Sequence, residues 1–210
     1  MQAPILLYVA EASCFLPAGA GLFQWKKLNS PLKILTLFFC FSVLHVIAEE
    51  TLRRMSINNL FLQNIHQVVE VESFLYFFWT WSKQRILKDG IQYAAMIYLV
   101  VWTLNKVYFE QPEQFNESMS TIANFFLIVV SIFVLLELSK TATVSLLSHT
   151  IFWIGSGTIL YFSGTIIIFS LSNTILQIGF LYFDIFWHFN WSLVIIVNLM
   201  FARSFWCKIF

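Results

Sequence analysis

Seven stretches of apolar residues follow one another along the chain, at 3–23, 32–52, 58–81, 91–108, 121–138, 150–171 and 176–201. Each is close to the roughly 20 residues that carry a helix across about 30 Å of hydrocarbon. The connectors are short and hold most of the charge, as in Gln24-Trp25-Lys26-Lys27 and the stretch 83–90. None is long enough for a second domain. The pattern predicts an all-α polytopic membrane protein, a bundle of seven transmembrane helices forming a single domain over residues 1–210. Met1-Gln2-Ala3-Pro4 lacks the basic segment of a cleaved leader and Glu11 interrupts the apolar run that follows, so this run is read as the first span.

Polar residues enter these stretches with the period of a helix. His45 and Glu49 are four apart, with Ser42 one turn earlier. Asn59, Gln63, His66, Gln67, Glu70 and Ser73 fall on one stripe, and Asp184 and His188 are again four apart. Glu11 adds an acid to the first span. An ionisable group inside a span costs roughly 2.5–3.5 kcal/mol on insertion, so such groups face the bundle interior and mark function. At about 1.5 Å per residue, Glu11, His45, His66 and Asp184 all come out roughly 10–12 Å below one face. Glu49 lies nearer that face, and Glu70 and His188 lie deeper, at about 18 Å. These seven residues are the candidate ligand-binding set, lining a polar cavity in one half of the bundle. The structural alternative is a network of mutually satisfied pairs that holds helices together.

Composition narrows the function classes. The chain is 59% hydrophobic and 11% charged, so it cannot cover a soluble surface, and a net charge of +1 with no basic arm offers nothing to a nucleic acid. Cys14, Cys40 and Cys207 are too dispersed for a disulfide framework. Nine of the twelve Lys and Arg (Lys26, Lys27, Lys33, Lys83, Arg85, Lys88, Lys140, Arg203, Lys208) fall on one side of a seven-span topology, against Arg53, Arg54 and Lys106 on the other. The positive-inside rule then predicts N-out, C-in. Gly155, Gly157 and Gly164 are expected to let the sixth span pack closely.

Three chemistries fit the polar layer. The first is an outward cavity that binds a small polar or cationic ligand, with pH sensitivity from the histidines. The second is a site for zinc or another divalent metal on His45, His66 and His188 with Glu49, Glu70 or Asp184, supporting metal-activated hydrolysis. The third is transport of a proton or small molecule, which the absence of a repeat disfavours.

Several resemblances bear on this choice. Seven spans with the N-terminus outside is the layout of rhodopsins and G-protein-coupled receptors, but residues 176–201 contain no lysine for a retinal Schiff base. Glu49-Glu50-Thr51-Leu52-Arg53-Arg54 matches the first motif of CaaX-type proteases, and the later ones are missing. Asp184-Ile185-Phe186-Trp187-His188 resembles the HxxWH of the alkaline ceramidase and adiponectin-receptor superfamily, zinc-dependent seven-helix amidases, with Asp in place of the first His. Asn58-Asn59 leading to Glu70, and Phe152-Trp153-Ile154 running to Gly157 and on to Tyr161-Phe162-Ser163-Gly164, are similar to segments of small, functionally unassigned bacterial seven-helix proteins. That resemblance implies a fold and a bacterial inner membrane. With no output domain in view, a sensor of this kind is expected to signal through a separate cytoplasmic kinase docking on Lys26/Lys27 and the 83–88 loop.

Overall fold

The computed structural model describes residues 4–108, 117–170 and 180–207. Among these every regular element is helical: α1 (Ile5–Ser13), α2 (Phe15–Gln24), α3 (Ser30–Arg54), α4 (Leu60–Trp81), α5 (Arg85–Tyr108), α6 (Glu117–Thr141), α7 (Thr150–Ser170) and α8 (Phe180–Ser204), with short 3₁₀ turns at Trp25–Lys27 and Leu146–Ser148. Among the described residues, four segments are long and apolar enough to cross a membrane: Ile5–Lys27, Ser30–Arg54, Met119–Thr141 and Asp184–Ser204. The protein is therefore an all-helical membrane protein whose apolar helices meet lipid. Its outward faces agree, with Phe23 81%, Leu44 64%, Phe125 59% and Leu199 54% exposed.

The first apolar stretch is two helices rather than one. Pro17 has no N–H to give to the Ser13 carbonyl, and the helix breaks at Cys14. α3 starts on an Asn29 side chain that accepts from Leu32 N at 3.2 Å, with Pro31 in its first turn. It ends where Ser56 takes a positive φ of 56°. That turn lets Ser56 N reach Arg53 O and Ile57 N reach Leu52 O, which satisfies the last carbonyls.

Around the molecule α2 packs on α3, α3 on α4, α4 on α6, α6 on α7, α7 on α8, and α8 back on α1 and α2. The result is a closed ring, with α5 wedged outside between α4 and α6. Small residues set the close approaches. A Cβ at Gly164 would lie 2.4 Å from Leu193, one at Gly157 2.8 Å from Phe201, and one at Gly21 2.4 Å from Thr36.

The two halves of the ring differ. One half is filled by aromatic rings: Phe74 lies 5.7 Å from Phe38, 5.4 Å from Phe201 and 6.4 Å from Phe162, and Phe39 meets Phe201 and Phe205. Lys26, Lys27, Lys33, Lys83, Arg85, Lys88, Lys140 and Arg203 gather at the ends of helices on this closed side, and Lys208 lies outside the described residues. Lys33 over Trp25, Lys88 over Trp79 and Arg203 over Trp153 are cation–aromatic pairs there, suited to a membrane boundary. The other half holds His45, Glu49 and His66.

Candidate functional site

The polar half is built chiefly where α3 and α4 run antiparallel. The 3-4 spacing of Ser42, His45 and Glu49 puts all three on the α3 face turned to α4, and His66 answers from α4. The Ser42 hydroxyl donates its one proton to Phe38 O at 3.1 Å. Its contact with His66 Nε2 at 2.9 Å is therefore one in which the imidazole donates and the hydroxyl oxygen accepts. His66 Nδ1 is thereby left as an acceptor. The His45 ring lies against His66 with centroids 4.3 Å apart, and the Phe41 ring stacks on His66 at 5.9 Å. His45 Nδ1 is 3.7 Å from Glu49 Oε2. His45 Nε2 and Glu49 Oε1 are buried without a hydrogen-bond partner among the described residues.

Glu70 stands one turn further along α4, between His66 and Phe74 on the inward stripe. It is half-buried. Cys14 on the first-helix break, Tyr161 on α7 and Tyr98 on α5 lie within its electrostatic reach. Glu11 belongs to a different neighbourhood. Arg53 Nη2 donates to Glu11 Oε1 at 3.1 Å and also to Glu50, and Arg54 Nε donates to Glu50 Oε1 at 2.5 Å. The Glu49-Glu50-Arg53-Arg54 run is thus divided, Glu49 facing α4 and Glu50 pairing with both arginines at the boundary.

Asp184 and His188 do not join the α3–α4 group. They pair with each other on α8, Nδ1 of His188 donating to the Asp184 carbonyl at 2.7 Å, and their side chains are 61% and 39% exposed. The cause is register. Asn198 Nδ2 donates to Ser13 Oγ at 2.8 Å and to Cys14 Sγ at 3.5 Å, which aligns Asn198 with the first-helix break. Asp184 is then about 21 Å along α8 from that level, whereas Glu11 is less than one turn from it. The common depth expected for Glu11 and Asp184 is not what the helices adopt. Nor do His45, His66 and His188 converge, and among the described residues no group of three or more His, Cys, Asp or Glu side chains is arranged to hold a metal ion. The residues at hand do not fit the zinc site expected from the sequence.

One buried acid escapes the period-based reading. Glu137, 4% exposed near the end of α6, accepts from Ser82 Oγ at 2.7 Å, Lys83 N at 2.8 Å and Gln84 N at 3.2 Å. These are the donors at the start of α5, so Glu137 holds α5 to α6 and complements its positive end. The only signal in the sequence is a lone acid in an otherwise apolar run.

No protein-family model, no curated protein and no solved structure matches this chain.

Proposed function

We propose that the protein is a receptor-like membrane sensor that binds a small organic cation between α3 and α4, on His45, Glu49, His66 and Glu70. The observation that carries this reading is the His45–His66 pair, which is polar, incompletely bonded and seated on a closed aromatic floor. Two imidazoles 4.3 Å apart cannot both hold a proton without repulsion of about 4 kcal/mol at an effective dielectric near 20. They serve better as neutral acceptors for one incoming cation, with the Glu49 and Glu70 carboxyl groups one turn away on either side.

The floor favours reception over passage. Phe38, Phe74, Phe78, Phe162 and Phe201 close the ring beneath His66, so a ligand entering from the polar end finds a dead end. We place this end outside, in a seven-span N-out, C-in topology in a bacterial inner membrane. The basic ends, with Lys26/Lys27 and the 83–88 loop, would then meet a separate cytoplasmic kinase. Under this reading Asp184 and His188 form the rim of the mouth rather than its base.

The test is thermal unfolding in nanodiscs with methylamine, ethylenediamine or guanidine added. A ligand at a hundredfold excess over its Kd contributes about 2.7 kcal/mol, or roughly 5–10 °C in a chain of this size. The shift should vanish in Glu70→Gln and His66→Gln. No shift with any of the three cations, or an equal shift in both variants, removes the reading.

A further inference from the structure

The break in the first helix opens a second site, away from the imidazole pair. α2 packs on α3 and α8, whereas α1, beyond the break, leans on α8. A groove of about 480 Å³ is left between α1 and α3, within the range of small-molecule sites. Its walls are graded along the helices. Phe15, Val46 and Ile47 form the deep part, and Glu11, Glu50 and Arg54 stand at the mouth. From Val46 to Arg54 the groove runs about 12 Å along α3, from the helix end into the span.

The mouth carries both signs of charge in fixed positions. Arg53 ties Glu11 to Glu50, and Arg54, with its side chain 74% exposed, engages Glu50 through Nε. The two arginines and two glutamates sum to zero, so neither an anion nor a cation alone suits the mouth. A guanidinium edge beside a carboxylate matches a phosphate next to a primary ammonium, because the phosphate accepts from the guanidinium and the ammonium donates to the carboxylate. The deep wall is exposed and apolar, with Phe15 53% and Ile47 52% accessible, and it opens toward the bilayer side of the two helices.

We propose that this groove binds one bilayer phospholipid with a zwitterionic, primary-amine headgroup. Its phosphate lies on Arg54, its ammonium on Glu11 and Glu50, and one acyl chain lies along Phe15, Val46 and Ile47. The site is separate from the cation site and stands or falls without it, since it needs only the membrane setting and the α1–α3 gap.

The experiment compares lipids of identical chains carrying phosphoethanolamine, phosphocholine or phosphoglycerol headgroups, each mixed into nanodiscs. Lipid retained by the released protein is counted by native mass spectrometry. The ethanolamine lipid should be retained on the order of tenfold over the other two. Ala12→Phe, which fills the groove from an exposed position, should abolish that retention, and Arg54→Gln, which removes the phosphate contact that all three headgroups share, should lower retention of all three. Circular dichroism establishes that each variant is helical, and Ile47→Phe replaces Ala12→Phe if the latter fails to fold. Equal retention of the three headgroups overturns the proposal. So does undiminished ethanolamine-lipid retention in a folded groove-filling variant.

Discussion

Two carboxylates at opposite ends of the ring, Glu137 buried and Glu49 partly buried, are treated in opposite ways. Glu137 accepts three hydrogen bonds, two of them from backbone N–H groups at the start of α5. Among the described residues Glu49 has a single imidazole at 3.7 Å for one oxygen and no hydrogen-bond partner for the other, and the His45 beside it has an unpartnered Nε2. A buried polar group left without partners costs about 1–3 kcal/mol, whereas a satisfied one is close to neutral or better. The first arrangement is therefore a fastening that the fold depends on. The second is a cost that the fold carries, and a ligand that supplies the missing partners would recover it. This contrast is the physical ground for calling one cluster structural and the other a site.

The largest effect should come from breaking the fastening. Glu137→Ala strands the Ser82 hydroxyl and two helix-start N–H groups, so we expect a loss of about 3 kcal/mol in unfolding free energy. Glu137→Gln keeps an acceptor but loses the charge at the positive end of α5, and should lose about half as much. Thermal or denaturant unfolding in detergent measures both. A loss below about 1 kcal/mol for the alanine variant would mean that α5 is held by its apolar contacts, and the contrast would lose its structural arm.

A smaller stability effect, but a complete loss of response, is expected at the site. His45→Leu removes the bare nitrogen and leaves a side chain of suitable volume against His66. Replacing an unsatisfied polar group by an apolar one is close to neutral, so the unfolding free energy should change by less than about 1 kcal/mol. The cation-dependent shift in unfolding temperature should disappear. If His45→Leu is as destabilising as Glu137→Ala, the imidazole pair is a fastening too, and the α3–α4 cluster is a helix-binding network.

The sequence shows a good part of this in advance, and the reasons are local. Apolar runs mark the helices closely: the stretch 58–81 becomes Leu60–Trp81, and the stretch 150–171 becomes Thr150–Ser170. Period-four spacing brings Ser42, His45 and Glu49 to one face, and the helix geometry that does this is independent of tertiary structure. α5 begins at Arg85 rather than Ile91 because Glu137, far away in sequence, accepts from the two residues before it. No residue type announces a carboxylate whose partners are backbone amides. The break at Cys14 is visible in principle through Pro17, yet the apolar run continues across it, and hydropathy does not register a missing hydrogen bond. Longitudinal offset is the least visible property. A span's length says nothing about how far it slides past its neighbours, and the Asn198–Ser13 contact that sets the level of α8 joins two small polar residues that look unremarkable in their own segments.

The smallest expected effect is the most exacting for the register of α8. Asp184→Asn removes one member of an exposed pair one turn apart, where the side chains are 61% and 39% accessible. Exposed pairs of this spacing contribute about 0.3–0.5 kcal/mol, so stability should change by no more than that. Because Asp184 stands about four turns beyond the Asn198 level, its charge should also leave the cation-dependent shift unaltered, in contrast to Glu70→Gln. Parallel unfolding curves for the two variants, with and without ethylenediamine, separate these outcomes. A loss of response in Asp184→Asn equal to that in Glu70→Gln would require α8 to slide inward by several turns. That movement would tear Asn198 from Ser13 and Leu193 from the Gly164 contact, and the polar layer would then contain Asp184 after all.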